Sequence, residues 1–236
     1  MGMMLPNELV WILDKLGFEW PDVDEDEVRR AAKLVSQFGS DLEECIQAVD
    51  RKVNSDLAAA MRGRTGPAYT SAWNTNRSSN LQQLLDFMEP AATGIDLSAD
   101  VIFGLKVKVI ADVTLTLAQL VPLLAAGPFG AGGAVLLIIA KKKLLNAALD
   151  IALEEALEQV LPMVMEPLVE KLPAVIDAIL NAPLVEGAAG EVEEFYADVA
   201  ALEQASGDME MHGQDLETIT SQFAADFASL DFGGDA

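Results

Sequence analysis

Cysteine and histidine each occur once in these 236 residues. A lone Cys45 excludes an internal disulfide, and one histidine beside one cysteine cannot build the usual zinc sites. His212, in EMHGQDLE, stands beside no nucleophile motif, so it reads as a solvated or partner-facing imidazole. No enzyme activity, cofactor, metal or small-molecule substrate is expected. Positive charge is scarce as well: 15 basic residues face 38 acidic ones, a net charge of -23. That balance excludes nucleic acid as a partner and opposes electrostatic docking on anionic lipid. After Lys171 there is no lysine or arginine at all, while 14 carboxylates follow, from Asp177 to Asp235. The opening MGMMLPNELVWILDKLGFEW lacks a basic region and a small-residue cleavage site. It is therefore not a Sec-type signal peptide, and a protein made in the cytoplasm would need another route out.

Charge is missing altogether from Val113 to Ala140, a run of 28 residues in VTLTLAQLVPLLAAGPFGAGGAVLLIIAKKK. Roughly 20 apolar residues span a bilayer, so length alone permits a crossing. Gly127, Pro128, Gly130, Gly132 and Gly133 interrupt the run, leaving arms at Val113–Ala126 and Ala134–Ala140 that are each short for a span. Both arms continue into charged sequence, at Lys106, Lys108 and Asp112 and at Lys141 to Lys143. A folded-back core hairpin is the expectation, with a membrane-inserting hairpin as the alternative.

Helical periodicity dominates the rest, and no stretch reads as a convincing strand. WPDVDEDEVRRAAKLV predicts a long helix capped by Asp24, with Glu27 as its capping-box partner and an acidic first turn. DVDED is not a calcium loop: the sixth position is not glycine and the twelfth, Lys33, is not glutamate. Val28, Ala31, Val35, Phe38, Leu42, Cys45 and Val49 form a heptad seam running to about Met61, where RGRTGP stops the helix. A second helix is expected from TSAWNTN, breaking at Pro90, with TGIDLSAD leading into the apolar run. Pro162, Pro167, Pro173 and Pro183 predict short pieces. GPFGAGGAVLL fails the GxxxxGK[ST] spacing of a phosphate loop. A final acidic helix carries Phe195, Leu202, Met209, Leu216, Phe223 and Leu230 at every seventh position. The expected fold is all-α, an elongated multi-helix bundle of long helical hairpins forming one domain over 1–236. Its parts are a first hairpin (1–90), an apolar hairpin with a Gly-rich bend and proline-broken helices (91–185), and the acidic C-terminal helix (186–236).

Two stretches carry a family resemblance. One is Leu9 to Leu42, LVWILDKLGFEWPDVDEDEVRRAAKLVSQFGSDL, with its Gly17-Phe18-Glu19-Trp20-Pro21 lead into an acidic turn and an Arg/Ala-rich helix. The other is LKVKVIADVTLTLAQLVPLLAAGPFGAGGAVLL, a helix running into a Gly-rich bend. Together they resemble the WXG-like N-terminal domain of actinobacterial polymorphic toxins exported by type VII secretion, the CpnT-like N-terminal domains.

The resemblance implies a helical domain exported already folded, serving as secretion leader for a toxin, and a cell-envelope or secreted destination. The partners it implies are a small WXG-type helical-hairpin protein and the type VII machinery. Trp73, Asn74 and Thr75 fall where that family's Trp-Xaa-Gly turn joins two helices, with threonine in place of glycine. The Tyr-xxx-Asp/Glu export signal is absent, since Tyr196 is followed by Ala200 and Tyr69 by Trp73. A partner is therefore expected to complete the signal. Phe195, Leu202, Met209, Leu216, Phe223 and Leu230 are its expected dock, because an apolar stripe on an acidic helix offers both burial and a charge preference. With no toxin segment after Ala236, the chain reads as a leader module or a free-standing relative. A purely structural helical scaffold is the third reading.

Overall fold

The computed structural model describes residues 2–3, 13, 20–62, 65–125, 139, 141–143, 146–147, 150, 154, 158, 172–180 and 196–233. The Gly-rich bend, Trp11 and Phe195 lie outside the described residues. The fold is all-α. Its helices are α1 (Glu25–Lys52), α2 (Ala58–Ala60), α3 (Thr65–Asn76), α4 (Gln82–Ala125), α5 (Leu172–Leu180) and α6 (Val199–Ala228). Single π-helical turns, Val53–Leu57 and Arg77–Leu81, link α1 to α2 and α3 to α4. Two residues on each side form the one ladder among the described residues: β1 (Met61–Arg62) pairs antiparallel with β2 (Tyr196–Ala197). Among the described residues no helix is long and apolar enough to cross a membrane.

The N-terminus of α1 follows the sequence, with one difference. Asp24 Oδ1 accepts from the amides of Asp26 at 2.9 Å and Glu27 at 3.4 Å, as a capping aspartate does. The reciprocal half of the capping box does not form. The Asp24 amide donates to the Phe232 carbonyl at 2.8 Å, and Glu27 pairs with Arg30 instead. The α1–π–α2 run then ends where expected, as Met61 turns extended.

The expected break at Pro90 does not occur: α4 runs through it for 44 residues. Pro90 is exposed, so the Asp86 carbonyl that loses its amide partner can turn to solvent, while Ala91 and Ala92 are buried. TGIDLSAD is likewise helical. Ser98 bonds back to the Gly94 carbonyl at 2.9 Å and caps nothing. Pro173 sits in the first turn of α5, where its missing amide costs little. Asp198 caps α6, its carboxylate accepting from the Ala201 amide at 3.1 Å, and Gly207 and Gly213 leave that helix unbroken.

Contacts divide the chain into two compact units: Met1–Ala31 with Gly94–Pro162 and Leu230–Ala236, and Ala32–Thr93 with Met163–Ser229. In the first, Leu13, Leu105 and Val109 form a buried cluster against which Trp20, Val101 and Val113 pack. In the second, Val53, Leu57 and Ala205 are buried, covered by Val49, Met61, Tyr69, Trp73, Leu202 and Met209. The crossing of α1 and α4 in that unit is close. A Cβ on Gly39 would lie 2.7 Å from the Met88 Cβ, so glycine is what admits the neighbouring side chain.

Candidate functional site

Trp73 is central to the second unit. The apolar seam of α1 continues past Lys52 because the π turn adds a residue per turn and brings Val53 and Leu57, 0% and 8% exposed, onto the core side. The widened turn is patched locally. Asn54 Nδ2 donates to the Asp50 carbonyl at 3.1 Å and Ser55 Oγ to the Arg51 carbonyl at 2.6 Å. Trp73 lays its ring against this surface and donates from Nε1 to Asp50 Oδ1 at 2.8 Å. Asn54 and Asn74 exchange hydrogen bonds in both directions at 3.1 Å. Asp50 and Asn54 from one run thus grip Trp73 and Asn74 from the other, the indole giving both buried area and a satisfied polar tip.

The expected turn at Trp73, Asn74 and Thr75 is not there: all three lie within α3. Thr75 hydrogen-bonds back to the Ser71 carbonyl at 2.9 Å, as a helical threonine does, and a π turn follows in place of a loop. Without glycine after the Trp-Asn pair, nothing at that position favours leaving the helix. The helical run breaks earlier, where Met61 turns extended. There Gly66 is buried so close to the Met61 carbonyl that a Cβ would collide with it.

The C-terminal seam is used by the chain itself. Leu202 and Met209 pack into the Trp73 cluster, and Phe223 stacks on Phe38 with ring centroids 4.5 Å apart. Leu216, 40% exposed, faces outward, and Leu230 is half-buried. Lys52 ties α6 to the π turn, reaching Asp208 at 2.7 Å and Asp56 at 2.9 Å. These partners, Asp208 first, raise the Lys52 ammonium above its ordinary value. A groove of about 410 Å³ opens beside this clamp, lined by Asp56, Asp198, Gln204 and Asp208 among small alanines. Cys45 gives its thiol to the His212 carbonyl at 3.6 Å, and burial, then the Asp215 charge, push that thiol up. It is a packed thiol, not an activated one. No group of residues suited to holding a metal ion occurs among the described residues.

The first unit holds an arrangement that periodicity did not point to. Lys106 is 0% exposed and Glu25 is 2% exposed, and they meet at 2.5 Å. Lys106 also donates to the Val23 carbonyl at 2.7 Å and lies 5.6 Å from the Trp20 ring centroid, while the Met3 amide donates to Glu25 at 2.5 Å. Burial alone would raise the Glu25 carboxyl. The bonds from Lys106, the Met3 amide and its own amide hold it below the ordinary carboxylate value. In the sequence Glu25 is one acid among several in DVDED and Lys106 one lysine of a charged flank, so no local signal joins them.

A family model described as "WXG100 like domain" matches residues 4–143. Neither the curated proteins nor the solved structures yield a match.

Proposed function

The chain belongs to the WXG100-like family, which ties it to type VII secretion, and from that premise we propose that it is a non-catalytic leader and partner-binding domain of a toxin-type exported protein. The observation that carries this reading is the family match over residues 4–143, a stretch that takes in both segments of sequence resemblance and the whole of α3. Trp73 lies inside a helix and not at that family's turn, and it fastens two helical runs through Asp50. The small hairpin partner would complete the missing tyrosine signal, and Leu216 is the exposed seam residue among the described ones for it to touch. A toxin segment would be joined beyond the helical domain.

Secretion is the direct test. The tagged chain is expressed in an actinobacterial host with a working type VII system and in the same host lacking the system's ATPase, with and without the small proteins encoded beside it. Medium and cells are then compared against a cytoplasmic marker. The chain is expected in the medium only with the intact system and a co-expressed neighbour. Equal amounts outside both hosts, or retention in both with every neighbour supplied, removes the leader reading.

A further inference from the structure

One backbone amide at the start of α1 has two candidate acceptors, and only one is in use. Asp24 is the cap, and Glu27 stands three residues on, the spacing at which a glutamate reaches back to the cap's own amide. Half of that box is built, since Asp24 Oδ1 accepts from the Glu27 amide at 3.4 Å. The other half is taken by the tail that follows α6: the Phe232 carbonyl accepts from the Asp24 amide at 2.8 Å. Glu27 is left with Arg30 at 3.4 Å, a partly exposed pair that holds it only weakly.

We propose that residues 230–233 are a releasable strap, which exchanges with the Glu27 side chain as the acceptor for the Asp24 amide. A short turn of its own shapes the strap. After α6 ends at Ser229, the Gly233 amide donates to Asp231 Oδ1 at 3.1 Å, and Gly233 takes a φ of 74°, which favours glycine. Phe232 lies inside that turn and is 37% exposed, and Asp231 and Gly233 are exposed on either side of it, so the strap is lightly held. A carboxylate accepting the same amide at a helix N-terminus matches or exceeds a neutral backbone bond to such a tail, because its charge is favoured there. Lifting the strap therefore leaves no unsatisfied amide at α1. A segment joined beyond the strap can be drawn away while the helix stays capped. That use in export rests on the leader reading, whereas the exchange itself rests on the geometry and is read without secretion.

The full chain is compared with Glu27→Ala, Gly233→Pro and the double variant. Gly233→Pro fixes φ at about −65° and removes the amide that Asp231 holds, so the tail turn cannot form. Hydrogen exchange at the Asp24 amide should stay slow in either single variant. It should quicken by about fivefold or more, the usual worth of one N-cap contact, only when both changes are combined. Chymotryptic cleavage after Phe232, followed by the mass of the shortened chain, reads how often the strap is off. Glu27→Ala should slow that cleavage by about fivefold, because the lifted state loses its substitute cap. Arg30→Ala, which frees Glu27, should not slow it. An Asp24 amide that quickens as much in Gly233→Pro alone as in the double variant overturns the proposal, as does one indifferent to both changes together. So does cleavage that Glu27→Ala leaves unchanged or quickens, or that Arg30→Ala slows as much.

Discussion

Lys106 has no exposed surface, and Glu25, with which it pairs at 2.5 Å, has almost none. A pair desolvated this far adds little net stability over well-packed apolar side chains, but removing one member strands the other. Lys106→Met is therefore expected to cost about 3–5 kcal/mol, and Lys106→Met with Glu25→Leu to recover most of that, both read from urea unfolding. The pair also sets a pH dependence. Because the Glu25 carboxyl sits below its ordinary 4.5 in the folded protein, the unfolded chain takes up that proton first on acidification. Its contribution is complete at neutral pH, begins to fall near that ordinary value and is gone once the pH has dropped through the folded one. Melting temperature followed from pH 6 downward should drop more steeply for the parent protein than for Glu25→Gln. Parallel curves would show that the carboxylate contributes nothing.

The seven-residue spacing of α6 is real, but its members do different things. Phe223 is held against Phe38 and Phe227, and Leu216 is not enclosed. Phe223→Glu is expected to destabilise by about 2–4 kcal/mol, losing aromatic contact and placing a charge on a half-buried site. Leu216→Glu should stay within about 0.5 kcal/mol of the parent. Thermal melts of the two variants check this, and equal losses would mean that Leu216 is as much core as Phe223. The pattern in sequence could not separate them, because a heptad position records only which side of a helix a residue is on. Pro90 shows the same limit. Its local preference is to end a helix, yet burial of Ala91 and Ala92 on one side and solvent on the other carry α4 through it.

At the scale of the whole molecule the net charge of -23 dominates. Ion pairs such as Arg30–Glu27 are partly exposed and individually weak, so mutual repulsion among carboxylates is the larger electrostatic effect on the compact state. Raising salt from about 10 mM to about 300 mM shortens the screening length from ~30 Å to under ~10 Å. The melting temperature is expected to rise by several degrees over that range. A fall would mean that the tied pairs, Lys52–Asp208 and Lys106–Glu25, outweigh the repulsion.

The sequence by itself determined the fold class, the Asp24 cap, the end of the first helical run at Met61 and the WXG-like character of the domain. Each of these is local or periodic: a cap acts within one turn, a seam repeats within one helix, and the family signature lies in contiguous stretches. Only the tertiary structure decided that Trp73 sits within a helix, which seam residues are spent internally and which acid meets Lys106. Those outcomes depend on residues far apart in sequence, Asp50 with Trp73, Phe38 with Phe223, Glu25 with Lys106. A single helix face holds no record of which distant side chain arrives to cover it.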